Sequence, residues 1–222
     1  MDAGAKDAPD DAAETPTGPM EAFDGAAKDG FRVDVSALRE PDASEKTEQL
    51  NDYTKFSVTY TVRRLFSDDI PSVFALCEKN PQYYEHCPPF VTPENIEADM
   101  KAMPQRKTGQ EQDKYYLGYF DVHQRLVAVM DFIDHYPDAQ SGFIGFFMME
   151  KDLQGTGVGS SIITELCACL AQWDYQYIRL GYVDGNEQSR SFWLKNQFTD
   201  TGLRDHTNDY TVVVMNRFLT KV

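Results

Sequence analysis

The order of strand-like and helix-like segments in the second half of the chain restricts the fold more than any other feature. Three segments rich in aromatic and β-branched residues, "YYLGYFDV", "RLVAVMDFID" and "FIGFFMME", follow one another with short turns between them. Short connections favour antiparallel neighbours, so these segments predict an antiparallel meander. A helical pattern and the strand "YQYIRLGYV" come next. A strand reached through a helix is expected to be parallel to the strand before that helix.

Segments on either side extend this pattern. "FSVTYTVRRLF" predicts a first strand, and "SDDIPSVFALCEKN" and "TPENIEADMKAMP" predict helices. Thr92 is the expected N-cap of the second helix and Pro93 its first residue, while the intervening "PQYYEHCPPFV" and the later "QRKTGQEQDK" predict loops. A short helix in "DGNEQSRSFWLKNQF" and strands ending with "YTVVVMNRFL" close the chain. The predicted order is β-α-α-β-β-β-α-β-α-β-β. This is a mixed, mostly antiparallel central sheet whose fourth and fifth strands are parallel, flanked by about four helices.

Residues 1–50 differ in composition from the rest of the chain. They are rich in Ala, Asp, Glu, Pro and Gly and poor in aromatic and branched aliphatic residues. Such a segment buries too little apolar surface to offset the entropy lost on ordering. We therefore expect a disordered acidic N-terminal tail over residues 1–50 and one folded domain over residues 51–222.

The formal net charge of −15 disfavours nucleic acids and anionic membranes as partners, because both are negatively charged. A cationic substrate suits this charge better. No apolar run approaches the roughly 18 residues that span a bilayer, and the N-terminus lacks the basic start and apolar core of a signal peptide. We expect a cytoplasmic protein. A second copy of the chain, in a homodimer, is a candidate partner.

The four cysteines indicate neither a metal site nor a disulfide framework. Cys77, Cys87, Cys167 and Cys169 form no C-x-x-C pair, and the spacing of the last two is not a usual zinc spacing. Free cysteine is among the most buried residue types. We expect reduced, mostly buried thiols and no bound metal.

Three alternate glycines mark the junction between the last strand of the meander and the helix that follows it. Gly155, Gly157 and Gly159 lie in "MMEKDLQGTGVGSSIITEL", directly before the helical pattern that starts at Val158. The first four amides of a helix lack intrahelical partners, and the helix dipole places partial positive charge there. Glycines leave such amides uncovered, so the junction predicts a site for phosphate or pyrophosphate.

Three kinds of phosphate ligand are compatible with a glycine-rich junction to different degrees. A Walker loop requires a lysine after its last glycine, and this sequence has none there. A dinucleotide fingerprint fits Gly155 and Gly157, with Ser160 at the third position and Asp184 after the next strand. That fingerprint normally follows directly on a strand, whereas "KDLQ" intervenes here. The third ligand is coenzyme A.

At this point the chain resembles the GCN5-related N-acetyltransferase (GNAT) family. The signature Q/R-x-x-G-x-G/A of that family is matched by Gln154, Gly157 and Gly159. Its second signature is an Asn, a small residue three positions on, an aromatic pair and a closing Gly-Phe. The matching residues here are Asn186, Ser189, Phe192, Trp193 and Phe198. The resemblance covers nearly the whole chain after the acidic tail and implies the GNAT fold.

The resemblance implies acetyl-CoA as the cosubstrate. Its pyrophosphate is expected on the glycine-loop amides, and its pantetheine arm along the end of the preceding strand. The implied contacts are Phe147, Met148, Met149, Gln154, Gly155, Thr156, Gly157, Val158, Gly159, Ser160, Asn186, Ser189, Phe192 and Lys195. Three of these have other readings: Asn186 as a helix cap, Phe192 as core and Lys195 as a solvated surface charge.

The resemblance also implies direct transfer of acetyl to an amine, but two residues frequent in the family are absent. Trp193 replaces the tyrosine that often donates a proton to the thiolate, and "SGFIGFF" offers no glutamate as base. Asp131 interrupts an apolar strand, where an unpaired carboxylate is costly, so it is the first candidate for a base or a structural hydrogen-bonding residue. Tyr83 is the second candidate catalytic residue.

Two segments are candidates to contact the acceptor. "NPQYYEHCPPF" stands where the family places its substrate-gating segment, and its Tyr84 and Glu85 are suited to a cationic amine. Asp134, His135 and Tyr136 follow the strand that carries Asp131. The sequence thus predicts an N-acetyltransferase acting on a primary amine of a small molecule. The alternatives are a peptide or protein acceptor, or a catalytically silent acyl-CoA-binding module.

Overall fold

The computed structural model describes residues 52–104, 113–207 and 209–221. The predicted tail over residues 1–50 and most of the predicted loop at 105–114 lie outside these ranges. The strands are β1 (Thr61–Arg64), β2 (Lys114–Phe120), β3 (Leu126–Asp134), β4 (Ser141–Met149), β5 (Tyr177–Val183), β6 (Thr199–His206) and β7 (Thr211–Phe218). The helices are α1 (Ile70–Glu78), α2 (Pro81–His86), α3 (Pro93–Lys101), α4 (Val158–Gln172) and α5 (Glu187–Lys195).

The strands form one seven-stranded sheet in the order β1-β2-β3-β4-β5-β7-β6. Strands β4 and β5 are parallel, and every other neighbouring pair is antiparallel. The predicted mixed sheet with a parallel fourth and fifth strand is therefore confirmed. Helix α4 makes the crossover between these two strands, as its position in the sequence predicts.

Helices cover both faces of the sheet. Ile162 and Leu166 of α4 belong to one buried cluster with Met130 and Phe132 of β3, and Trp193 of α5 joins the same cluster. On the opposite face, α1, α2 and α3 pack over β2, β3 and the end of β4. Because side chains alternate along a strand, Val129 and Asp131 point towards α1–α3 while Met130 and Phe132 point towards α4.

The pairing of β4 changes abruptly at Gly145. Asp131 of β3 pairs with Phe146, but the next residue pairs with Ile144, so Gly145 is the extra residue of a β-bulge. On the other side, β4 pairs with β5 only from Ser141 to Ile144. Residues 145–149 thus remain in register with β3 while diverging from β5. The sheet opens between its two parallel strands from the bulge onwards.

The first predicted strand is shorter than expected. Residues Tyr53–Phe56 form a 3-10 turn, and β1 begins only at Thr61. The cause is Glu165 of α4, whose carboxylate accepts hydrogen bonds from the amides of Val58 (2.9 Å) and Thr59 (3.3 Å). These amides bond to a side chain of the crossover helix rather than to a neighbouring strand.

The loop predicted over residues 81–91 is partly helical, which is the main error in the predicted element order. Pro81 occupies the first position of α2, where a missing amide hydrogen costs nothing. The proline and tyrosine content of the segment masked this short helix. The predicted helix at Thr92 is confirmed, because the Thr92 side chain accepts a hydrogen bond from the Asn95 amide.

A residue with a left-handed backbone lies two positions after Lys195, the last residue of α5. Gln197 has φ +65° and stands where the family signature has glycine. The position therefore keeps the backbone geometry that favours glycine, although its residue is glutamine.

Within the described ranges, no helix combines the length and the apolarity needed to cross a membrane.

Candidate active site

The glycine loop presents exposed backbone at the start of α4. Gly155 and Gly157 have φ values of +77° and +97°, a region that residues with a side chain adopt at a cost. A β-carbon added at either position would meet no atom within 4 Å. Both residues and Thr156 between them are exposed. These glycines therefore serve backbone conformation, and the space above them is open.

Gly159 has a different role in the same loop. A β-carbon there would clash with the Met149 sulfur and come within 3.1 Å of the Phe192 ring. The first turn of α4 can approach the end of β4 and the side of α5 because residue 159 has no side chain. The third glycine thus brings three elements together beneath the loop.

The N-terminus of α4 has no side-chain cap, unlike those of α3 and α5. In α3 Thr92 accepts from Asn95 N, and in α5 Asn186 accepts from Ser189 N at 2.9 Å. Gly157, the N-cap of α4, makes no such bond, and the first turn contains no acidic residue. The uncapped amides and the positive end of the helix dipole are available to an external anion.

The opening between β4 and β5 lies at the same end of the sheet as the glycine loop. The diverging part of β4 ends at Met149, and the loop begins five residues later, after the 3-10 turn Lys151–Leu153. Phe147 turns its ring towards α5, where it stacks on Phe192 with a centroid distance of 5.8 Å. The β5-facing backbone edge of residues 145–149 is not bonded to β5. An extended ligand arm could pair there.

Asn80, between α1 and α2, connects the site's elements through a buried hydrogen-bond hub. Its Nδ2 donates to the carbonyls of Leu76 and Met149, each at 3.0 Å, and its Oδ1 accepts from Gln154 Nε2 at 2.6 Å. Gln154 Oε1 in turn accepts from Gln188 of α5 at 3.2 Å. The Gln154 side chain therefore fixes the loop to α1 and α5, leaving the loop backbone to meet a ligand.

The predicted cofactor residues at α5 either make contacts within the protein or face solvent. Asn186 caps the helix through its side-chain oxygen, and Phe192 packs against the core. The Ser189 amide donates that capping hydrogen bond, and Ser189 lies in the turn nearest the glycine loop. Lys195 is exposed in the last turn, so its ammonium meets solvent. Trp193 is buried against Phe198, with a ring-centroid distance of 5.1 Å.

Three charged residues lie between α3 and the sheet, level with the bulge; we call Asp99, Lys114 and Asp131 the trio. Lys114 Nζ and Asp131 Oδ2 form an ion pair of 2.7 Å, with both side chains buried. The Asp131 carboxylate leans over Gly145, so that a β-carbon at that glycine would lie 2.7 Å from Oδ2. Asp99 lies on the inner side of α3, one turn after the buried Ile96.

Asp131 retains an unused oxygen in this setting. Its Oδ1 is the one fully buried side-chain polar atom without a hydrogen-bond partner among the described residues. Burial raises the pKa of Asp131, and the nearby Lys114 offsets only part of that rise. Burial, followed by repulsion from Asp131, raises the pKa of Asp99 from 3.8 to about 6. Carboxyl groups with raised pKa values and an oxygen without a hydrogen-bond partner are typical of functional sites.

Aromatic side chains of α2 and β4 lie beside the trio. Tyr83 packs edge-on against Phe146, the cross-strand partner of Asp131, at 5.7 Å between centroids. Tyr84 contacts Tyr83 at 5.0 Å and Phe90 at 5.0 Å, while Glu85 is exposed. Desolvation raises the pKa of both tyrosines, so both hydroxyls keep their protons at neutral pH. The structure thus brings Asp131, Tyr83 and Tyr84 together.

Asp134, His135 and Tyr136 lie elsewhere. Asp134 pairs with Gly142 near the start of β4, at the end where β4 and β5 are still joined. Its carboxylate accepts from the Tyr175 hydroxyl and pairs with His135 at 3.2 Å. Tyr136 is buried edge-on against Phe143. These contacts stabilise the β3–β4 turn, and the structure does not bring the three residues together with the glycine loop.

Comparison with known proteins agrees with this geometry. The sequence profile of the acetyltransferase (GNAT) family matches residues 75–198, which span both the diverging strands and the glycine loop. The chain belongs to the GNAT family. No curated protein matches this GNAT chain.

Solved GNAT structures share its fold at low sequence identity. An acetyltransferase from Thermus thermophilus superposes with a TM-score of 0.58 and 16% identity, covering 73% of this chain and 98% of that one. Spermidine N-acetyltransferase from Vibrio cholerae, in complex with CoA and spermine, gives 0.54 and 14%, covering 73% and 97%. The ribosomal-protein-S18-alanine N-acetyltransferase from Escherichia coli gives 0.52 and 12%, covering 73% and 96%.

Three residues of this GNAT site were not singled out in the sequence. Asn80 is a polar residue between two helices, Asp99 is an acidic residue within a helix, where such residues normally face solvent, and Lys114 begins a strand. The relevant signal for Asp99 was its spacing, because it follows the apolar Ile96 at i+3 and therefore lies on the inner face of α3. Nothing in the sequence indicates the bonds of Asn80, which join residues about 70 positions apart.

Among the described residues, no group of His, Cys, Asp or Glu side chains could hold a metal ion.

Replacing Asn80 with alanine should loosen the glycine loop. The change leaves two carbonyls and the Gln154 amide without their buried partner, at a cost of about 2 to 3 kcal/mol in the free energy of unfolding. Hydrogen exchange of the amides of residues 150–157 should accelerate. Asn196→Ala is the matched control, since Asn196 is equally buried but bonds the Phe192 carbonyl. Equal loop exchange in both variants would contradict the role of Asn80.

Replacing Asp99 with asparagine should stabilise the protein at neutral pH. Its carboxyl pKa is about 6 in the folded protein and 3.8 ordinarily, so the folded state binds more protons between these values. Stability therefore falls as pH rises through this window, and the destabilisation persists above it. Allowing for partial exposure, the variant should gain about 1 to 2 kcal/mol at pH 7. Thermal unfolding from pH 4 to pH 7 measures the effect. Glu97→Gln on the exposed side of α3 should change little, and a loss of stability in Asp99→Asn would refute the assignment.

Proposed function

We propose that this GNAT protein is an acetyl-CoA-dependent N-acetyltransferase that transfers acetyl directly to the primary amine of a small molecule. One observation carries the proposal: the opening between β4 and β5 lies at the same end of the sheet as the uncapped N-terminus of α4. A ligand with a diphosphate and an extended arm can occupy both features at once. Coenzyme A has this form, and one GNAT neighbour was solved with CoA.

The glycine loop, Gln154–Ser160, would bind the diphosphate through its amides, apart from those of Gln154 and Thr156, which donate to carbonyls of the preceding turn. Phe147, Met148 and Met149 would bind the pantetheine arm through the backbone edge that β5 leaves free. Phe192 covers the α5 side of the opening between β4 and β5 by stacking on Phe147. Asn186 and Ser189 lie in the first turn of α5, at the flank of the loop, and Lys195 would offer its ammonium to a phosphate from the last turn.

Bound acetyl-CoA supplies the acetyl group as a thioester. A neutral amine would attack the carbonyl carbon, the carbon–sulfur bond would break so that the sulfur leaves as a thiolate, and the nitrogen would lose a proton to a base. The thiolate would take up a proton from solvent. Asp131 is suited to accept the proton from the nitrogen, because its Oδ1 is unpartnered and lies level with the opening of the strands. Its raised pKa brings its basicity closer to neutral pH.

Tyr83 is the candidate donor to the departing sulfur. Its hydroxyl remains protonated at neutral pH and its ring lies over Phe146, next to the bulge. A phenol with a raised pKa acts better as a hydrogen-bond donor than as an acid. Trp193, at the position where the family often has tyrosine, is buried against Phe198 and has no such access.

The acceptor is proposed from the surroundings of Asp131. Tyr84 and the exposed Glu85 form the outer side of the aromatic group on α2, which suits a small cationic amine. Spermidine N-acetyltransferase and a ribosomal-protein N-acetyltransferase both share the fold. A peptide acceptor and a silent acyl-CoA-binding module are therefore the alternative outcomes of the tests below.

Gly157→Glu should abolish acetyl-CoA binding while leaving the protein folded. The new carboxylate would occupy the open space above the loop and repel phosphate. Gly202→Glu is the matched control, since Gly202 also has a positive φ (+80°) and no atom within 4 Å of an added β-carbon. Calorimetric titration with acetyl-CoA measures the difference. Undiminished affinity in Gly157→Glu, or equal losses in both variants, would rule out the loop as the diphosphate site.

Asp131→Asn should lower kcat by about 100-fold or more and remove the acidic limb of the pH–rate profile. Release of CoA thiol across an amine panel is the measurement. Because removing one member of a buried ion pair is destabilising, the double variant Asp131→Asn/Lys114→Met provides a second form without an unpaired charge. Retained turnover with an unaltered profile would leave Asp131 a structural residue. Acetyl-CoA binding without thiol release by the native chain would indicate a silent binding module.

A further inference from the structure

The trio carries more negative than positive charge. Asp99 and Asp131 contribute two carboxylates and Lys114 one ammonium, so the fully ionised group has a net charge of −1. The Lys114 ammonium lies on Asp131 Oδ2. Asp99 makes no hydrogen bond or ion pair with any described residue, although most of its surface is covered. A buried, uncompensated carboxylate is costly unless a cation binds it.

A second, independent feature favours a cationic ligand at the same place. Asp131 is 8% exposed, and its Oδ1 has no partner among the described residues. Ion pairing with Lys114 therefore satisfies one oxygen and leaves the other without a hydrogen-bond partner among the described residues. Two carboxylate groups from different elements, α3 and β3, thus each have an oxygen that could accept from a donor.

A chain of aromatic rings lies beside this acidic region. Tyr83, Tyr84 and Phe90 form a chain of ring contacts that starts at Phe146 and ends at the surface, where Phe90 is 45% exposed. Aromatic faces attract cations, and the attraction grows when the cation is desolvated. The rings therefore favour a ligand with positive charge and apolar methylene groups over an anionic or strongly hydrated ligand.

We propose, on the basis of the proposed acetyl transfer, that the acceptor is a diamine: a primary amine with a second ammonium that the trio binds. Asp131, level with the bulge, receives the attacking amine, and Asp99 on α3 holds the distal ammonium. Lys114 holds Asp131 Oδ2 and leaves Oδ1 for the substrate. Asp99 is a specificity residue in this arrangement, because a monoamine leaves its charge without a partner.

The pH dependence of binding follows from the groups around Asp99. It faces Asp131 and Lys114 from the sheet, Tyr116 from β2, Cys77 from α1, Tyr84 from α2 and Cys87 directly after α2. Of these, Lys114 supplies the positive charge. Protonation of Asp99 as pH falls through about 6 would remove the attraction for the distal ammonium. Diamine affinity should therefore fall towards acidic pH, while both amino groups of the ligand stay charged.

Substrate preference tests the proposal. With the full chain and saturating acetyl-CoA, kcat/KM is measured for diaminobutane and for butylamine. The comparison is repeated with longer diamines, each paired with the monoamine of the same carbon chain length. We expect the native protein to prefer the diamine by about 10- to 100-fold, the range of one charge-assisted hydrogen bond. Asp99→Asn should reduce that ratio towards one, whereas Glu97→Gln on the exposed side of α3 should preserve it. A ratio near one in the native protein, or an unchanged ratio in Asp99→Asn, would overturn the proposal.

Direct binding separates this proposal from that of acetyl transfer. Calorimetry with diaminobutane is run without acetyl-CoA, at about pH 8 and about pH 5, on either side of the Asp99 pKa of about 6. Binding that weakens at the lower pH, and weakens less in Asp99→Asn, supports the ammonium site even if no amine releases thiol. Thiol release from butylamine and diaminobutane at equal efficiency, without calorimetric preference for the diamine, would retain the acetyltransferase and exclude the ammonium site.

Discussion

Four residue pairs hold β4 to β5, and the end of that pairing at Ile144 and Leu180 organises the rest of the site. The bulge at Gly145 keeps β4 in register with β3 while it leaves β5, so the opening arises without breaking the sheet. The bulge in turn depends on a residue without a side chain, because the Asp131 carboxylate occupies the space beside it. One glycine therefore determines both where the strands part and which side chain stands at that point.

Hydrogen bonds of one residue connect the cofactor side and the acceptor side of the site. Asn80 lies at the junction of α1 and α2 and bonds both the end of β4 and the first residue of the glycine loop. The next helix, α2, carries the aromatic residues beside the trio and reaches the β6–β7 turn through Cys87 and Tyr210. The hub is buried, and its bonds link the end of β4 and the glycine loop to the start of α2. Buried polar groups of this kind fix one arrangement of the surrounding elements.

Much of the fold could be predicted because its signals are local. The meander, the crossover helix and the capped helix at Thr92 depend on alternation, apolar spacing and capping residues that neighbours in the chain supply. The glycine loop was predictable for the same reason, since the residues that shape it are contiguous. The short helix α2 was missed because prolines and tyrosines dominate its composition. The early end of the first strand was missed because Glu165, about 106 residues away, binds its backbone.

The catalytic side was predictable only in part, because its residues meet across the sheet. Asp131 stood out as a carboxylate in an apolar strand, but its partner Lys114 and its neighbour Asp99 come from other elements. Asp134, His135 and Tyr136 were grouped with Asp131 because they follow it closely, yet register places them at the joined end of the parallel strands. The sequence by itself determined the order of the strands, the parallel pair and the glycine loop, since local periodicity and glycine conformation encode them. Tertiary structure alone decided which charges face one another and which polar atoms lack partners, because strand register and helix packing bring together residues that are distant in the chain.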